Sequence, residues 1–558
     1  MTTKFMALKR VEDVTGWLKV FARVGLSSGL VGHGTPRAAR RAVQLLSRGQ
    51  AGLSTAFRLR ALTDGDRPAL VSGGQTFTFA EVDARADRVC AGLAALGLAR
   101  RDAVALVMRN RHEFFELEVA TARLGGSAVS LSWRATAAEL RYMLEHSGAR
   151  AICFEASLWP VIEEAIAGNP KLPRARCIAL DDPGDAARGL TPYASLLEAR
   201  PDPEAVDGQD DGAVVIYTSG TTGKPKGAVR KFGLGQVLGL VAFLDRVPFT
   251  RADRHLCVCP LYHSTALGFA GLTLMVGGCV VIEQHFDPIE VMKCIERERI
   301  TTAALVPTLL HRWMSLDDAA LAAFSTRSLR AVISVGAQLP APLSRRVRAT
   351  LGPVLYNLYG ATETGLVSVA TPDDLAGDPS SVGRPLHGVE VRLVDESGEL
   401  VADGAVGELY ARSAMLVAGY HADAAATSAS MREGFFSVGD LARRDAEGRL
   451  SIVGRRRDMV ISGGVNLYPV EIEAVIDAHP SVAQSAVIGV PDPEWGERLR
   501  AFVVLRGPCD AAALEAHCRA TLSGAKVPRE WVFLAALPSN ATGKVLKRAL
   551  ALGQYETA

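Results

Sequence analysis

Residues Tyr217-Thr-Ser-Gly-Thr-Thr-Gly-Lys-Pro-Lys-Gly227 gather three glycines, four aliphatic hydroxyls and two lysines into eleven positions. Glycine lets backbone N–H groups come close to a polyphosphate, hydroxyls donate to its oxygens, and lysines add charge. The run directly follows the apolar stretch Ala213-Val-Val-Ile216. A flexible Ser/Thr/Gly connection is the competing reading, but it has no need of lysines flanking a proline straight after a buried strand. The pattern G-x-x-x-x-G-K-[ST] is absent, so this is not a Walker loop.

Five further segments follow in order: Tyr359-Gly-Ala-Thr-Glu-Thr-Gly365, Ser437-Val-Gly-Asp440, Gly454-Arg-Arg-Arg-Asp458, Ser462-Gly-Gly-Val-Asn-Leu-Tyr-Pro-Val-Glu-Ile-Glu473 and Asn540-Ala-Thr-Gly-Lys544. Taken singly each is weak. Together and in register with the first loop, they resemble the motifs of the adenylate-forming (ANL) superfamily. That superfamily includes acyl-CoA synthetases, luciferases and the adenylation domains of peptide synthetases. The resemblance spans about residues 60–550 and suits a stand-alone acyl-CoA synthetase of the fatty-acid–CoA ligase type.

The resemblance implies a two-step reaction with ATP, Mg²⁺ and coenzyme A. Carboxylate attack on the α-phosphate gives acyl-AMP and pyrophosphate, and a thiol then displaces AMP. The protein's part is electrostatic, bringing two anions together and stabilising charge on the crowded phosphorus. Lys544 is the implied bridge between carboxylate and α-phosphate, although in isolation it would be a surface lysine. Glu363 offers a carboxylate to Mg²⁺, with Thr218 as second contact. Thr218, Ser219, Gly220, Thr221, Thr222, Gly223 and Lys226 form the phosphate cradle. Asp440 has two acceptor oxygens for two ribose hydroxyls, and Arg455 is a rigid donor fork for ribose or phosphate. Tyr359, followed by Gly360 and Thr362, stacks on adenine; Asn357 offers its amide to the base edge. Gly336, Ala337 and Gln338 form the adenine-side wall. Gly463 and Gly464 line the thiol tunnel. Arg457 stands at the hinge, where the family usually has Asp or Lys.

Pro260-Leu-Tyr-His263 resembles the segment that opens the family's acyl pocket. His263 then sits by the carboxylate or gates the site; on its own a core histidine is an equal reading. The following STALGFAGLTLMVGG is apolar and rich in small residues. It leaves room for an alkyl chain, and tight helix packing explains the same letters. A medium- or long-chain fatty acid is the expected substrate. An acyl-AMP ligase that loads a separate carrier protein is the alternative. A luciferase-like oxidation and a non-enzymatic adenylate-binding protein are further readings; retention of Lys544, Glu363 and Asp440 argues against the last.

These residues need elements to hold them. Runs 103–108, 127–132, 151–154, 213–219, 302–307 and 331–337 read as buried strands. Helical patterns such as Phe79–Leu96 and Thr136–Ser147 lie between several of them. Near-continuous apolar strands alternating with helices indicate an α/β fold with parallel sheets covered on both faces. From about 383 the grammar changes to short strands with polar turns. After Gly454 it becomes a small α+β unit, with a helix starting at Pro469, strand pairs at 481–490 and 499–505, a helix at 511–523 and a strand near 531–535. The expected organisation is a basic N-terminal extension (1–55), a large ATP- and acyl-binding domain (56–456, its β-rich subdomain about 383–453), and a small mobile C-terminal domain (457–558).

Composition bounds the alternatives. Hydrophobic residues are 48% and charged residues 22%, which excludes a disordered or fibrous chain. A net charge of +2 and 6% aromatics argue against nucleic acid. Residues 1–60 hold eleven Lys or Arg against two acids, so a basic arm precedes a mildly acidic body. Trp17, Phe21 and Val24 lie at helical spacing there, which allows either peripheral contact with an anionic membrane surface or a helix packed on the body. The charge-free run Ser264–Ile282 is long enough to span a bilayer, but the pair Gly277-Gly278 and the β-rich CVVI after it favour a buried helix, a turn and a strand. Nine scattered cysteines without C-x-x-C read as buried thiols of a cytoplasmic protein. Cys257 and Cys259, beside His255, make a poor metal pair.

Overall fold

The computed structural model describes residues 11–28, 40, 41, 44, 52–182, 189–201, 212–218, 226–230, 233–417, 424–462, 465–539 and 545–557. The apolar strands divide into two open sheets. The first has seven strands: Thr191–Pro192, Cys177–Ala179, Ala149–Phe154, Ala103–Val107, Ser127–Leu131, Ala213–Thr218 and Lys226–Arg230, in spatial order. All its pairings are parallel except the last, in which Thr218 stands opposite Lys226. The second has nine strands, with a parallel centre of Leu355–Ala361, Ala331–Ser334, Thr302–Leu305, Arg254–Cys257, Cys279–Ile282 and Pro68–Ser72. The division is invisible in the hydropathy, because both sheets are built from the same continuous apolar runs.

Helices cover both sheets, and helix His112–Arg123 touches strands of each, Ser127–Leu131 in one and Pro68–Ser72 in the other. Its position between them explains why nearly every residue of it is buried. Helix starts follow local chemistry. The Thr78 hydroxyl accepts the Glu81 N–H while the Glu81 carboxylate accepts the Thr78 N–H, and Thr136 with Glu139 repeats the arrangement. Asn110, almost fully buried, joins three segments: its amide donates to the carbonyls of Cys259 (2.9 Å) and Glu283 (3.1 Å), and its oxygen accepts the Leu261 N–H (2.8 Å). This fixes the stretch that leads to His263.

The run Ser264–Ile282 is helix Ser264–Val276, a left-handed turn at Gly277 (φ 90°) and strand Cys279–Ile282. Among the described residues no helix is long and apolar enough to cross a membrane. Beyond the second sheet, strands from Glu390–Val394 to Leu450–Arg455 form a third, six-stranded sheet. Strands from Val460–Ser462 to Glu530–Phe533 form a fourth, whose long hairpin pairs Val482–Asp492 with Gly496–Leu505. Cys257 and Cys259 are buried, and no group of three metal-ligating side chains occurs among the described residues. His255 bonds Thr302 Oγ1 through Nδ1 at 2.9 Å.

The N-terminal helix runs Val11–Ser27 and packs against helix Leu234–Leu244. Its buried face is Trp17, Val20 and Val24, whereas Phe21 is 44% exposed. The expected face of Trp17, Phe21 and Val24 is thus corrected: the i, i+3, i+7 row wins over i, i+4, i+7. Trp17 meets the His387 ring edge-on at 4.6 Å, and a Cβ at Gly388 would lie 2.8 Å from the indole. Outside, Arg23 makes two hydrogen bonds to Asp245 at 2.7 and 2.8 Å. Trp17→Ala should remove about 3 kcal/mol from this contact. Limited proteolysis is expected to cut between residues 11 and 52 faster in the variant; an unchanged cutting rate would show that the indole does not anchor the helix.

Candidate active site

One cavity of about 550 Å³ opens at the carboxyl ends of parallel strands from both sheets, where open α/β folds place ligands. Ile216 and Tyr217 enter it from the first sheet; Val306, Val335 and Gly336 enter from strands Thr302–Leu305 and Ala331–Ser334 of the second. Seven of the residues expected from sequence line it: His263, Gly336, Gly360, Thr362, Glu363, Arg455 and Arg457.

The turn between strands Leu355–Ala361 and Gly365–Ala370 presents Thr362 and Glu363. Thr364 Oγ1 accepts the Ala361 N–H at 3.1 Å, closing the turn. A Cβ at Gly360 would lie 2.3 Å from the Gly365 carbonyl, so only glycine fits there. Thr362 Oγ1 lies 3.2 Å from Ser264 Oγ, which joins this turn to the first residue of helix Ser264–Val276. The N–H groups and dipole of that helix end favour an anion nearby.

Arg230, which sequence reasoning did not single out, locks the same turn from the other sheet. Its Nε donates to the Thr362 carbonyl at 3.1 Å and its terminal nitrogen donates to the same oxygen at 2.5 Å. Burial lowers the guanidinium's pKa, and attraction to Glu363 opposes that shift. The signal for it was slight: one basic residue ending the strand that leaves the phosphate loop.

Asp440 and Tyr359 are found behind the cavity wall. The Tyr359 hydroxyl donates to Asp440 Oδ2 at 2.8 Å, and Arg455 Nε lies 3.0 Å from Oδ1. The Tyr359 ring packs on the β-rich cluster of Val367, Leu409 and Ala442. Burial, and then the Asp440 carboxylate, push its hydroxyl well above the ordinary range. Asn357 is buried outside the cavity lining, and its amide donates to the Ser381 carbonyl at 2.9 Å. Gln338 donates to the Ile452 carbonyl at 3.1 Å; it and Ala337 are exposed, outside the cavity lining. Glu408, also missed, lines the cavity and accepts from Ser437 Oγ (2.6 Å) and Arg456 (3.0 Å), which holds the turn leading to Asp440.

Ser219, Gly220, Thr221, Thr222, Gly223, Gly463, Gly464 and Lys544 lie outside the described residues, as do the side chains of Thr218 and Lys226. Arg457, in the single helical turn Arg456–Asp458, is the last described residue of the chain that lines the cavity. His263 is half-buried there, and its Nε2, itself out of contact with solvent, has no hydrogen-bond partner among the described residues. Burial, and to a lesser degree the charge of Arg134, lower its pKa to about 4. The imidazole is therefore neutral at pH 7.

Comparison with known proteins gives two family matches: "AMP-binding enzyme" over residues 57–421 and "AMP-binding enzyme C-terminal domain" over residues 471–544. A 2-succinylbenzoate–CoA ligase from Bacillus licheniformis is 32% identical over 495 residues, 88% of this chain and 98% of that protein. A feruloyl-CoA synthase from Amycolatopsis is 34% identical over 503 residues, 88% and 96%. A fatty acid–[acyl-carrier-protein] ligase from Streptomyces coeruleorubidus is 30% identical over 493 residues, 87% and 92%. Among solved structures, o-succinylbenzoate CoA synthetase from Bacillus subtilis, in complex with its acyl-adenylate intermediate, aligns with a TM-score of 0.78 at 29% identity over 89% of this chain and 97% of that one.

Unfolding returns the His263 imidazole to its ordinary 6.5. Between that value and about 4 the unfolded state alone binds the extra proton, so stability is lost as pH falls through this window. His263→Asn should flatten that limb, by up to about 3 kcal/mol at its acid end. Melting temperature against pH checks this; parallel curves for the two proteins would show that the imidazole is charged in the native state.

Proposed function

The chain belongs to the AMP-binding enzyme family, and we propose that within it the protein activates a medium-sized carboxylic acid with an apolar body, through the acyl-AMP, and passes the acyl group to coenzyme A. At family level it is an acid–thiol ligase that uses ATP and Mg²⁺. The observation that supports the finer reading is one cavity with two unlike ends. Glu363, Thr362 and Arg455 supply polar groups at one end, while Leu53, Leu272 and Met275 make an apolar wall elsewhere. A volume of about 550 Å³ falls within the usual range of small-molecule sites, which supports an acid of moderate size. The relatives' printed substrates include aromatic acids as well as a fatty acid, so the proposal covers aryl and alkyl bodies alike.

In this reading the chain's own groups divide the work. The N-terminus of helix Ser264–Val276 favours the substrate carboxylate, and neutral His263 adds no charge of its own there. The Glu363 carboxylate fits Mg²⁺, which binds through one or two carboxylates plus phosphate oxygens rather than in an all-protein cage. When bound, Mg²⁺ neutralises the polyphosphate. Arg230 holds the Thr362–Glu363 turn against the pull of that charge. Lys544 neutralises the α-phosphate as the acid oxygen bonds to phosphorus and pyrophosphate leaves. The Arg456–Asp458 turn is the pivot that carries the C-terminal unit between this step and thiol attack. A carrier-protein phosphopantetheine thiol in place of coenzyme A is the second reading, favoured by the similarity to the Streptomyces carrier-protein ligase.

Acids from two to twenty carbons, with aromatic acids beside them, scored for thioester formation on coenzyme A and on a carrier protein, test the proposal. Absence of ATP–pyrophosphate exchange with every acid would end it. Lys544→Ala should lower exchange by about 100- to 1000-fold while calorimetric ATP affinity is kept. Wild-type exchange in that variant removes Lys544 from the chemistry. A Cβ on Gly268, which lines the cavity, meets nothing within 4 Å. Gly268→Leu is therefore expected to lower kcat/KM for the largest accepted acid by about tenfold and to spare the smallest. Equal loss for both would place the apolar pocket elsewhere.

A further inference from the structure

Helix His112–Arg123 carries three glutamates, and two of them are paired. Glu113 meets Arg111 at 2.7 Å. Glu116 meets Arg85 at 2.8 Å, His112 at 2.7 Å and the Tyr193 hydroxyl at 2.5 Å. Glu118 is the third. It is 4% exposed, lines the cavity, and its Oε2 has no hydrogen-bond partner among the described residues. No charged neighbour perturbs it; burial alone pushes its carboxyl up to about 8.

The position of Glu118 in the cavity follows from the packing. The cavity runs along helix Ser264–Val276, from the Ser264–Thr362 contact to Gly271 and Met275. Leu53 closes it there, 3.9 Å from where a Gly271 Cβ would stand. Helix His112–Arg123 packs on helix Leu53–Asp64, which carries Leu53, so Glu118 joins the cavity at this far, apolar end. Leaving a buried polar group unpaired is costly. Aliphatic side chains of the same reach would fill the site without that cost, and Leu53, Leu272 and Met275 of the same cavity are apolar.

We propose that Glu118 is a specificity-determining residue that hydrogen-bonds a hydroxyl group at the end of the acid remote from its reacting carboxylate. This rests on the acid-activating reading above and names the substrate class more narrowly, as a hydroxylated acid. A carboxyl kept protonated donates one hydrogen bond and accepts another, which matches the donor and acceptor of a hydroxyl. An acid ending in a methyl group or a bare ring leaves both unmade. Sites built to bond a hydroxyl reject the analogue that lacks it far more strongly than apolar pockets sort by size.

Two matched pairs test this in the full chain: 10-hydroxydecanoate against decanoate, and 3-(4-hydroxyphenyl)propionate against 3-phenylpropionate. The readouts are kcat/KM for ATP–pyrophosphate exchange and, independently of turnover, calorimetric affinity for each acid. The wild type is expected to favour the hydroxy acid of at least one pair by about 100-fold. Glu118→Leu should reverse that preference, and Glu118→Gln, which still donates and accepts, should keep most of it. Glu118→Leu should also raise the melting temperature, because it removes an unpaired buried carboxyl; a residue that served packing alone would lower it. A wild type that shows no preference in either readout overturns the proposal, as does a preference that survives in Glu118→Leu within about twofold. Exchange that fails with all acids, while the calorimetric preference is present and depends on Glu118, would sink the ligase reading and leave the recognition role standing.

Discussion

Two open sheets meet across one cavity, and a half-buried cation ties them there. Arg230 ends a strand of the seven-stranded sheet and donates to the Thr362 carbonyl on the turn that leaves the nine-stranded one. A guanidinium taken out of water must have its donors met, so the distance between the sheets at this point is held by hydrogen-bond geometry rather than by apolar contact, which is non-directional. Asn110 does the same on the other side, joining the end of one sheet to the segment that precedes His263. The turn that presents Glu363 and the helix end that begins at Ser264 therefore keep a fixed relation. That relation is what places the Glu363 carboxylate and the N-terminus of helix Ser264–Val276 on the same cavity.

How much of this was legible depended on whether the signal was local. Strands whose apolar runs are continuous emerged within one to three residues: 127–132 became Ser127–Leu131, and 302–307 became Thr302–Leu305. The helix expected at Thr136–Ser147 starts at Ala137, because Thr136 is its cap. The pairing of those strands into two sheets is a long-range fact, and no local pattern encodes it. The N-terminal helix was legible as a helix but not by its face, since residues 17, 20, 21 and 24 satisfy two helical rows and only the partner surface chooses between them.

The site residues divide in the same way. Those that the motifs name by chemistry, such as Glu363, Thr362 and Arg455, come together on the cavity. Tyr359 and Asn357 carry side chains whose partners, Asp440 and the Ser381 carbonyl, are distant in sequence. Those contacts were not readable because they join segments far apart in the chain. Arg230 and Glu118 were missed for one reason: a single charged residue on a strand or helix reads as solvated until the covering layer is known. Glu118 lies among two other glutamates that are paired, so composition hides the one that is not.

Three titratable side chains of the cavity wall, Arg230, His263 and Glu118, are treated in three ways. Arg230 is paired with carbonyls and attracted by Glu363, so its charge is kept. His263 is held neutral by burial, with one nitrogen open. Glu118 is held neutral by burial with no neighbour at all. A wall selected for packing alone would have replaced the last two with apolar residues, because an unmet buried polar group weakens the fold. Where such groups persist on a cavity, the partner they lack is supplied by what enters it. The polar end of this cavity carries residues of the family's motifs, Thr362, Glu363 and Arg455, so a distinction between this chain's acid and its relatives' acids is to be sought at the other end.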